Sequence, residues 1–264
     1  MRSIGCAGVL VASLFPLASG AQGFAALVSP PRFELAAKAG EKVRQVMEIT
    51  NAGGAGAKYK LRTADWTLAD DGSVKFDDAL GPGSCRPWVA IESKQITISA
   101  GAKYRFRFEV TPPADAPAGE CRFAIMIEGD EQAVQTPNGP SFPISGRLGV
   151  IVYLSLGDAK PKLDVVSTKV APVNDVPVPV ILVKNTGNAH GRITGFLSGT
   201  DASGKKLEFT PSTLPILVGE TRSISLVAYG DKDEVVKIAY PITVKGKLEW
   251  GDNQSTPFEQ TFSR

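Results

Sequence analysis

Tyr104, Phe106, Phe108 and Val110 alternate along the chain with Lys103, Arg105, Arg107 and Glu109. A period of two puts one face of a segment in a core and the other in water, so this stretch reads as a β-strand and fits helical spacing poorly. Cys121, Phe123, Ile125 and Ile127 repeat the pattern against Arg122 and Glu128, which turns Cys121 inward with the apolar set. Less regular strands are expected over 27–36, 43–51, 58–66, 88–98 and 142–156. Turn chemistry punctuates them at Asn51-Ala52-Gly53-Gly54, Asp70-Asp71-Gly72, Ala100-Gly101 and the proline-rich stretch from Pro112 to Gly119. About seven short strands in the first half predict an immunoglobulin-like sandwich, with Trp66 and Trp88 filling its core.

A small polar segment, Gly157-Asp158-Ala159-Lys160-Pro161, follows and suits a link between domains. A second string of strands is expected over 176–184, 192–197, 222–228 and 238–250, separated by Asn185-Thr186-Gly187-Asn188, Ala202-Ser203-Gly204, Gly230-Asp231 and Gly251-Asp252-Asn253. The predicted fold is therefore all-β, two immunoglobulin-like sandwiches in tandem: a first domain over 22–156 and a second over 157–264.

Composition narrows the chemistry. The 264 residues carry 29 Lys+Arg against 27 Asp+Glu, a formal charge of +2, which is not the balance of a nucleic-acid binder. The single histidine, His190, excludes a zinc site of several histidines and leaves a Ser-His-Asp relay one place to run. His190 lies in a turn-like stretch and reads as a plain surface residue. No glycine-rich phosphate loop follows a strand, and Asp70-Asp71 and Asp77-Asp78 read as solvated turn charges. The expectation is a protein that is not an enzyme and needs no cofactor, metal or small-molecule substrate.

The first residues point to export. Met1-Arg2 is a short basic start, residues 4–17 are mostly apolar, and Ala18-Ser19-Gly20-Ala21 offers small residues for cleavage, so 1–21 reads as a signal peptide. The apolar run falls short of the ~20 residues that a membrane span needs. Cys6 would leave with that segment, and Cys85 and Cys121 would remain as an even pair in a compartment where disulfides persist. They are expected to be bonded; the alternative is two unpaired buried thiols.

Several strings, taken in order, resemble the periplasmic pilus-assembly chaperones of the chaperone-usher pathway. They are Val28-Ser29-Pro30-Pro31-Arg32-Phe33-Glu34-Leu35, Val46-Met47-Glu48-Ile49-Thr50-Asn51, Ser84-Cys85-Arg86-Pro87-Trp88-Val89, Ala118-Gly119-Glu120-Cys121-Arg122-Phe123-Ala124 and Gly146-Arg147-Leu148-Gly149-Val150-Ile151-Val152-Tyr153. In the second half, the strings from Val183 to His190 and from Pro215 to Arg222 are similar to divergent members. The resemblance implies a periplasmic chaperone that caps pilin-like subunits and hands them to an outer-membrane usher without nucleotide. Such subunits lack one strand and expose a groove of unpaired backbone, and the chaperone completes it with an edge strand of its own.

By that resemblance the lending segment runs over 142–152, where Phe142, Ile144, Leu148, Val150 and Val152 share one parity, broken by Gly146. The plain alternative is a strand whose apolar face packs on its own domain, and a mixed reading has the first part lending and the later part in the core. The family also holds the subunit's terminal carboxylate with two basic side chains. Arg32 matches the first of them. The second would fall at Val150, so Arg147 is the nearest basic candidate, able to reach the cleft only if its strand carries a bulge. The connection over 129–141, with Pro137, Asn138, Gly139 and Pro140, resembles the family's mobile loop, or is an ordinary hairpin. A different class of function stays open: a secreted structural or adhesive module using the same sandwiches as scaffold.

Overall fold

A computed structural model of the chain describes residues 24–81, 84–135, 141–229, 234–251 and 253–264, with the backbone alone for 132–135 and 141–143. The expected signal peptide, Cys6 and the Pro137 to Pro140 stretch lie outside the described residues. Among the described residues, no helix is long and apolar enough to cross a membrane, and no group of three or more His, Cys, Asp or Glu side chains is placed to hold a metal ion.

The chain is all-β and forms two immunoglobulin-like domains in tandem. The first contains β1 (Ala26–Ser29), β2 (Arg32–Ala37), β3 (Val43–Asn51), β4 (Ala57–Leu68), β5 (Val74–Asp77), β6 (Val89–Ile91), β7 (Gln95–Ile98), β8 (Lys103–Val110), β9 (Gly119–Gly129), β10 (Gln132–Gln135), β11 (Ser141–Ile144) and β12 (Arg147–Leu156). A sheet in the order β1-β3-β8-β6 packs on a second in the order β2-β12-β9-β4-β5, with β7 paired to β4. The core between them holds Met47, Ile49, Phe106, Phe108, Phe123, Ile125, Val150, Val152 and Leu154. Phe108 meets Phe33 and Phe123 edge-on, with ring centroids 5.1 and 6.3 Å apart.

Proline placement shapes the entrance to this sandwich. The stretch 27–36, expected as one strand, is two, because Pro30 and Pro31 have no N–H to donate to a ladder. β1 pairs antiparallel with β3, and the chain then crosses to the other sheet, where β2 runs parallel to β12 from Arg32 opposite Ile151 to Ala37 opposite Leu156. The expected strand over 88–98 likewise divides into a 3-10 turn at Arg86–Trp88 followed by β6 and β7, and that over 142–156 into β11 and β12.

The sheet carrying β9 and β12 is buried on both faces. Its outer face supports a smaller apolar cluster of Ala64, Trp66, Ala124, Met126, Tyr153 and Leu217, the last of these from the second domain. Trp66 therefore does not fill the first core as expected. It packs in this outer cluster, donates its indole N–H to the Phe123 carbonyl at 3.2 Å and lies beneath the Arg122 guanidinium. Trp88 is half-buried against the first core.

The second domain comprises β13 (Leu163–Val173), β14 (Val176–Asn185), β15 (Leu197–Thr200), β16 (Lys206–Pro211), β17 (Thr221–Val227), β18 (Ile242–Trp250) and β19 (Gln254–Phe262). They form one curled sheet in the order β13-β14-β17-β16-β15-β18-β19 around a core that includes Ile181, Ile193, Phe209, Ile224 and Leu248. The stretch 192–197 makes only an isolated bridge, Thr194 to Glu249, before β15 begins. Gly195, at φ +131°, passes so close to the Lys247 carbonyl that a Cβ there would lie 2.0 Å from its oxygen, an approach open to glycine alone. Both domains fix a turn with a buried asparagine. Asn51 Nδ2 donates to the Ala55 and Ile98 carbonyls, and Asn185 Nδ2 to those of Ala189 and Ile216. In each case Oδ1 accepts from a glycine N–H two residues on.

The domains are joined by more than the chain. Arg222, almost wholly buried, donates Nη1 to the Ala69 carbonyl at 2.8 Å and Nη2 to that of Leu68 at 3.3 Å. Next to it, Leu214 closes on Gly72 and Leu217 on the outer cluster. On the opposite side the Glu120 N–H donates to the Asn188 carbonyl at 2.8 Å. Cys85 and Cys121 form the expected disulfide with Cα atoms 5.8 Å apart, tying the turn before β6 to the start of β9.

Candidate functional site

β12 is unequally partnered along its length. It pairs with β9 without interruption from Arg147 opposite Glu128 to Leu156 opposite Gly119, but β2 joins its other side only at Ile151. The Gly129 N–H donates to the Gly146 carbonyl at 3.0 Å, which sets the alternation of the β9–β12 ladder. Residues 148, 150, 152 and 154 then bond towards β9, and 147, 149, 151 and 153 turn their N–H and C=O groups to the other edge. Ile151 and Tyr153 meet β2 there. Arg147 and Gly149 meet no strand among the described residues.

The preceding β11 pairs with β10 on one side, Phe142 opposite Val134 and Ile144 opposite Gln132. Within the 129–141 connection β10 thus lies antiparallel to β11, and residues 136–140 are outside the described set. Ile144 is 56% exposed. Leu148 is half-buried against the first core, whereas Val150 and Val152 are fully buried within it. This corrects the expectation for Val150: its side chain is committed to its own sandwich and is not a free knob. The Phe142 side chain lies outside what is described. Between β11 and β12, Phe24 sits over Gly146 and Gly129, where any Cβ would collide with its ring, and meets Tyr59 edge-on at 6.1 Å.

The face of β12 and β2 that carries Arg32, Glu34 and Tyr153 opens into a cleft of about 760 Å³ between the domains. Arg32 is exposed and donates Nε to Glu34 Oε1 at 2.8 Å. Arg192 enters from the second domain, its Nη1 donating to the Thr213 carbonyl at 2.7 Å while its buried Nε has no hydrogen-bond partner. Burial holds the Arg192 guanidinium below its usual range, repulsion from Arg32 adds to this, and Tyr153 and Glu34 oppose it. Burial raises the Tyr153 hydroxyl, with Arg192, Arg32 and Arg122 pulling the other way. Arg32, Glu120 and Arg122 of the first domain and Arg192 of the second thus all bear on the Tyr153 hydroxyl.

Arg147 does not join them. The one-to-one register of β12 with β9 contains no bulge, so Arg147 stays four residues, about 13 Å of strand, from the position opposite Arg32. The Phe76 ring covers Gly149 between them, and Arg147 lines a separate hollow with Lys60 and Glu128. His190 also differs from expectation. Its side chain is only 10% exposed, with Nδ1 2.5 Å from Glu120 Oε2, its N–H donating to the same oxygen at 3.1 Å, and its ring stacked on Tyr153 at 3.8 Å. Arg192 is legible only as the first residue of the expected 192–197 strand and His190 only as part of the turn before it; Tyr153 and Glu120, which cover His190, belong to the other domain.

The fold and site together define a two-domain, all-β chain whose partly open strand edge, among the described residues, leads towards a cleft lined by acidic and basic side chains of both domains. No family model and no curated protein matches the chain. Among solved structures, it is similar to the Pseudomonas aeruginosa CupB2 chaperone, at 10% identity over 90% of this chain and 100% of that one, with a TM-score of 0.46. It is also similar to the CsuC–CsuE chaperone–tip adhesion subunit pre-assembly complex from archaic chaperone-usher Csu pili of Acinetobacter baumannii, at 15% identity over 90% and 99%, TM-score 0.43. A further similar structure is the E. coli chaperone DraB, at 11% identity over 90% and 99%, TM-score 0.43.

Proposed function

We propose that this protein is a periplasmic chaperone that caps pilin-like subunits by lending them the edge formed by β11 and the first half of β12. The observation that carries the reading is the edge at Arg147 and Gly149, which meets no strand among the described residues, is continuous with the exposed Ile144 and ends where β2 begins. An open edge beside apolar side chains is an aggregation hazard in a protein that has no use for it, and a recognition surface in one that completes another's sheet. Phe142, Ile144 and Leu148 are the side chains for the groove, with Val150 left to the core. The disulfide suits an oxidising compartment.

In this reading the subunit's terminal carboxylate enters the cleft and is held by Arg32 together with Arg192, which takes the role that sequence alone suggests for Arg147. Two guanidinium groups from different domains can each donate to a carboxylate, and Arg192 lines the cleft. The capped subunit would then pass to an outer-membrane usher, with no nucleotide or other cofactor involved.

The test is complex formation. Purified protein and a strand-deficient pilin should elute together in gel filtration at one-to-one stoichiometry, and Phe142→Asp with Ile144→Asp should abolish the complex while leaving the unfolding midpoint within a few degrees of the parent. Unchanged binding by the double variant would refute strand lending.

A further inference from the structure

We infer that His190 and Glu120 form an interdomain clasp whose task is to hold Arg192 at a fixed position relative to Arg32; the inference rests on the carboxylate-anchoring reading above. The two arginines come from different domains, so their spacing depends on how the 188–192 loop of the second domain docks on the first. That docking is built from several contacts on one residue. The Glu120 N–H donates to the Asn188 carbonyl at 2.8 Å, and Glu120 Oε2 receives the His190 N–H at 3.1 Å and lies 2.5 Å from its Nδ1. The imidazole is then pressed flat on Tyr153, with ring planes 21° apart, and its Nε2 reaches to 3.9 Å from Glu34, the partner of Arg32.

The grip on His190 is transmitted along the backbone. Arg192 is two residues beyond it, and Gly191 between them is bridged to Ile216 of its own domain. A Cβ on Gly191 would lie 2.8 Å from Pro161 and 2.9 Å from Leu163, so the backbone is pinned against the linker as well. Glu120 is 2% exposed at its side chain and has its Oε1 without a hydrogen-bond partner, an arrangement that exchanges full satisfaction of a carboxylate for one directed grip on the loop. A site of two cations assembled across a domain boundary recognises a carboxylate well only if their separation is set before the ligand arrives. His190 is accordingly a positioning residue; it acts through Arg192.

The experiment compares a strand-deficient pilin bearing a free C-terminal carboxylate with the same pilin amidated at that end, by isothermal titration against the full-length mature protein. The parent should prefer the free carboxylate by about tenfold, the scale of one charge-assisted hydrogen bond. His190→Ala should lose that preference while binding the amidated pilin as the parent does, since the strand edge is untouched. His190→Asn, whose side-chain N–H₂ can reach Glu120 in the place of Nδ1, should recover much of it. Glu120→Ala should behave as His190→Ala, and the two together no worse than either alone.

Full retention of the preference in His190→Ala overturns the clasp. Equal weakening towards both pilins also overturns it, by showing a general structural role, and so does failure of His190→Asn to improve on alanine. A parent protein that binds both pilins but does not distinguish them rejects the arginine anchor and the clasp with it, leaving strand lending intact. A parent that binds neither pilin removes the capping reading itself.

Discussion

From Ile151 onward, β12 has β9 on one side and β2 on the other; from Arg147 to Val150 it has β9 alone among the described residues. The two halves are alike in sequence pattern, with apolar side chains at even positions turned to the first core. What separates them lies elsewhere in the chain, where Pro30 and Pro31 end one ladder and allow Arg32 to begin another. The length of open edge is therefore set by where a different strand starts. It follows that the backbone edge of the closed half should be shielded and that of the open half accessible, although a hydropathy plot would treat them as one segment.

The largest expected effect falls on the closed half. Cys121 pairs with Leu154 across β9 and β12, so the disulfide anchors the strand beside the doubly paired segment. The two cysteines are 36 residues apart, and in the chain-entropy account their link contributes about 4 kcal/mol. Replacing both with serine should lower stability by that order in denaturant-induced unfolding, and a loss below about 1 kcal/mol would show that the neighbouring strands hold this region without it. Next in size is Leu154→Ala. Leu154 is fully buried, so truncation should cost about 2 to 5 kcal/mol, whereas Leu148→Ala, in a half-buried position on the open half, should cost about 1 kcal/mol. Equal costs would erase the distinction between the halves. In pilin binding the order should reverse, with Leu148→Ala the more damaging of the two once stability is accounted for.

The same contrast explains how much of the fold and of the site is legible in the sequence. Strands whose one face meets water announce themselves: Arg105 and Arg107 alternate with Phe106 and Phe108 in β8, and the strand is found where that pattern lies. β9 gave a clear inward face, but the run Ala124-Ile125-Met126-Ile127 is apolar at every position because its outer face is covered by Trp66, Tyr153 and Leu217. Such a run signals burial on both sides without naming the second cover. For the same reason Trp66 was expected in the wrong layer. The shared parity of Ile144 and Leu148 is legible, while the commitment of Val150 to the core is not, since parity cannot tell which sheet receives a side chain. Arg147 was suggested by nearness in sequence to the expected anchor position, and Arg192 had no such sign. It lies 160 residues downstream of Arg32, in the other domain, and lines the cleft between the two.

The finest test of the two halves is local opening, measured by amide hydrogen exchange under native conditions. The backbone alternation turns the N–H groups of Arg147, Gly149, Ile151 and Tyr153 to the same edge, so these four amides form an internal comparison on one strand. Ile151 and Tyr153 face β2 and should exchange only through openings that separate two strands, whereas Arg147 and Gly149 face no strand among the described residues. A difference of at least about tenfold in protection is expected between the pairs, equivalent to about 1.4 kcal/mol of local opening free energy. Binding of a strand-deficient pilin should then protect Arg147 and Gly149 and leave Ile151 and Tyr153 as they were. Protection of Arg147 and Gly149 in the free protein at the level of Ile151 would mean that this edge is already closed by the chain itself, and the open half of β12 would have nothing to lend.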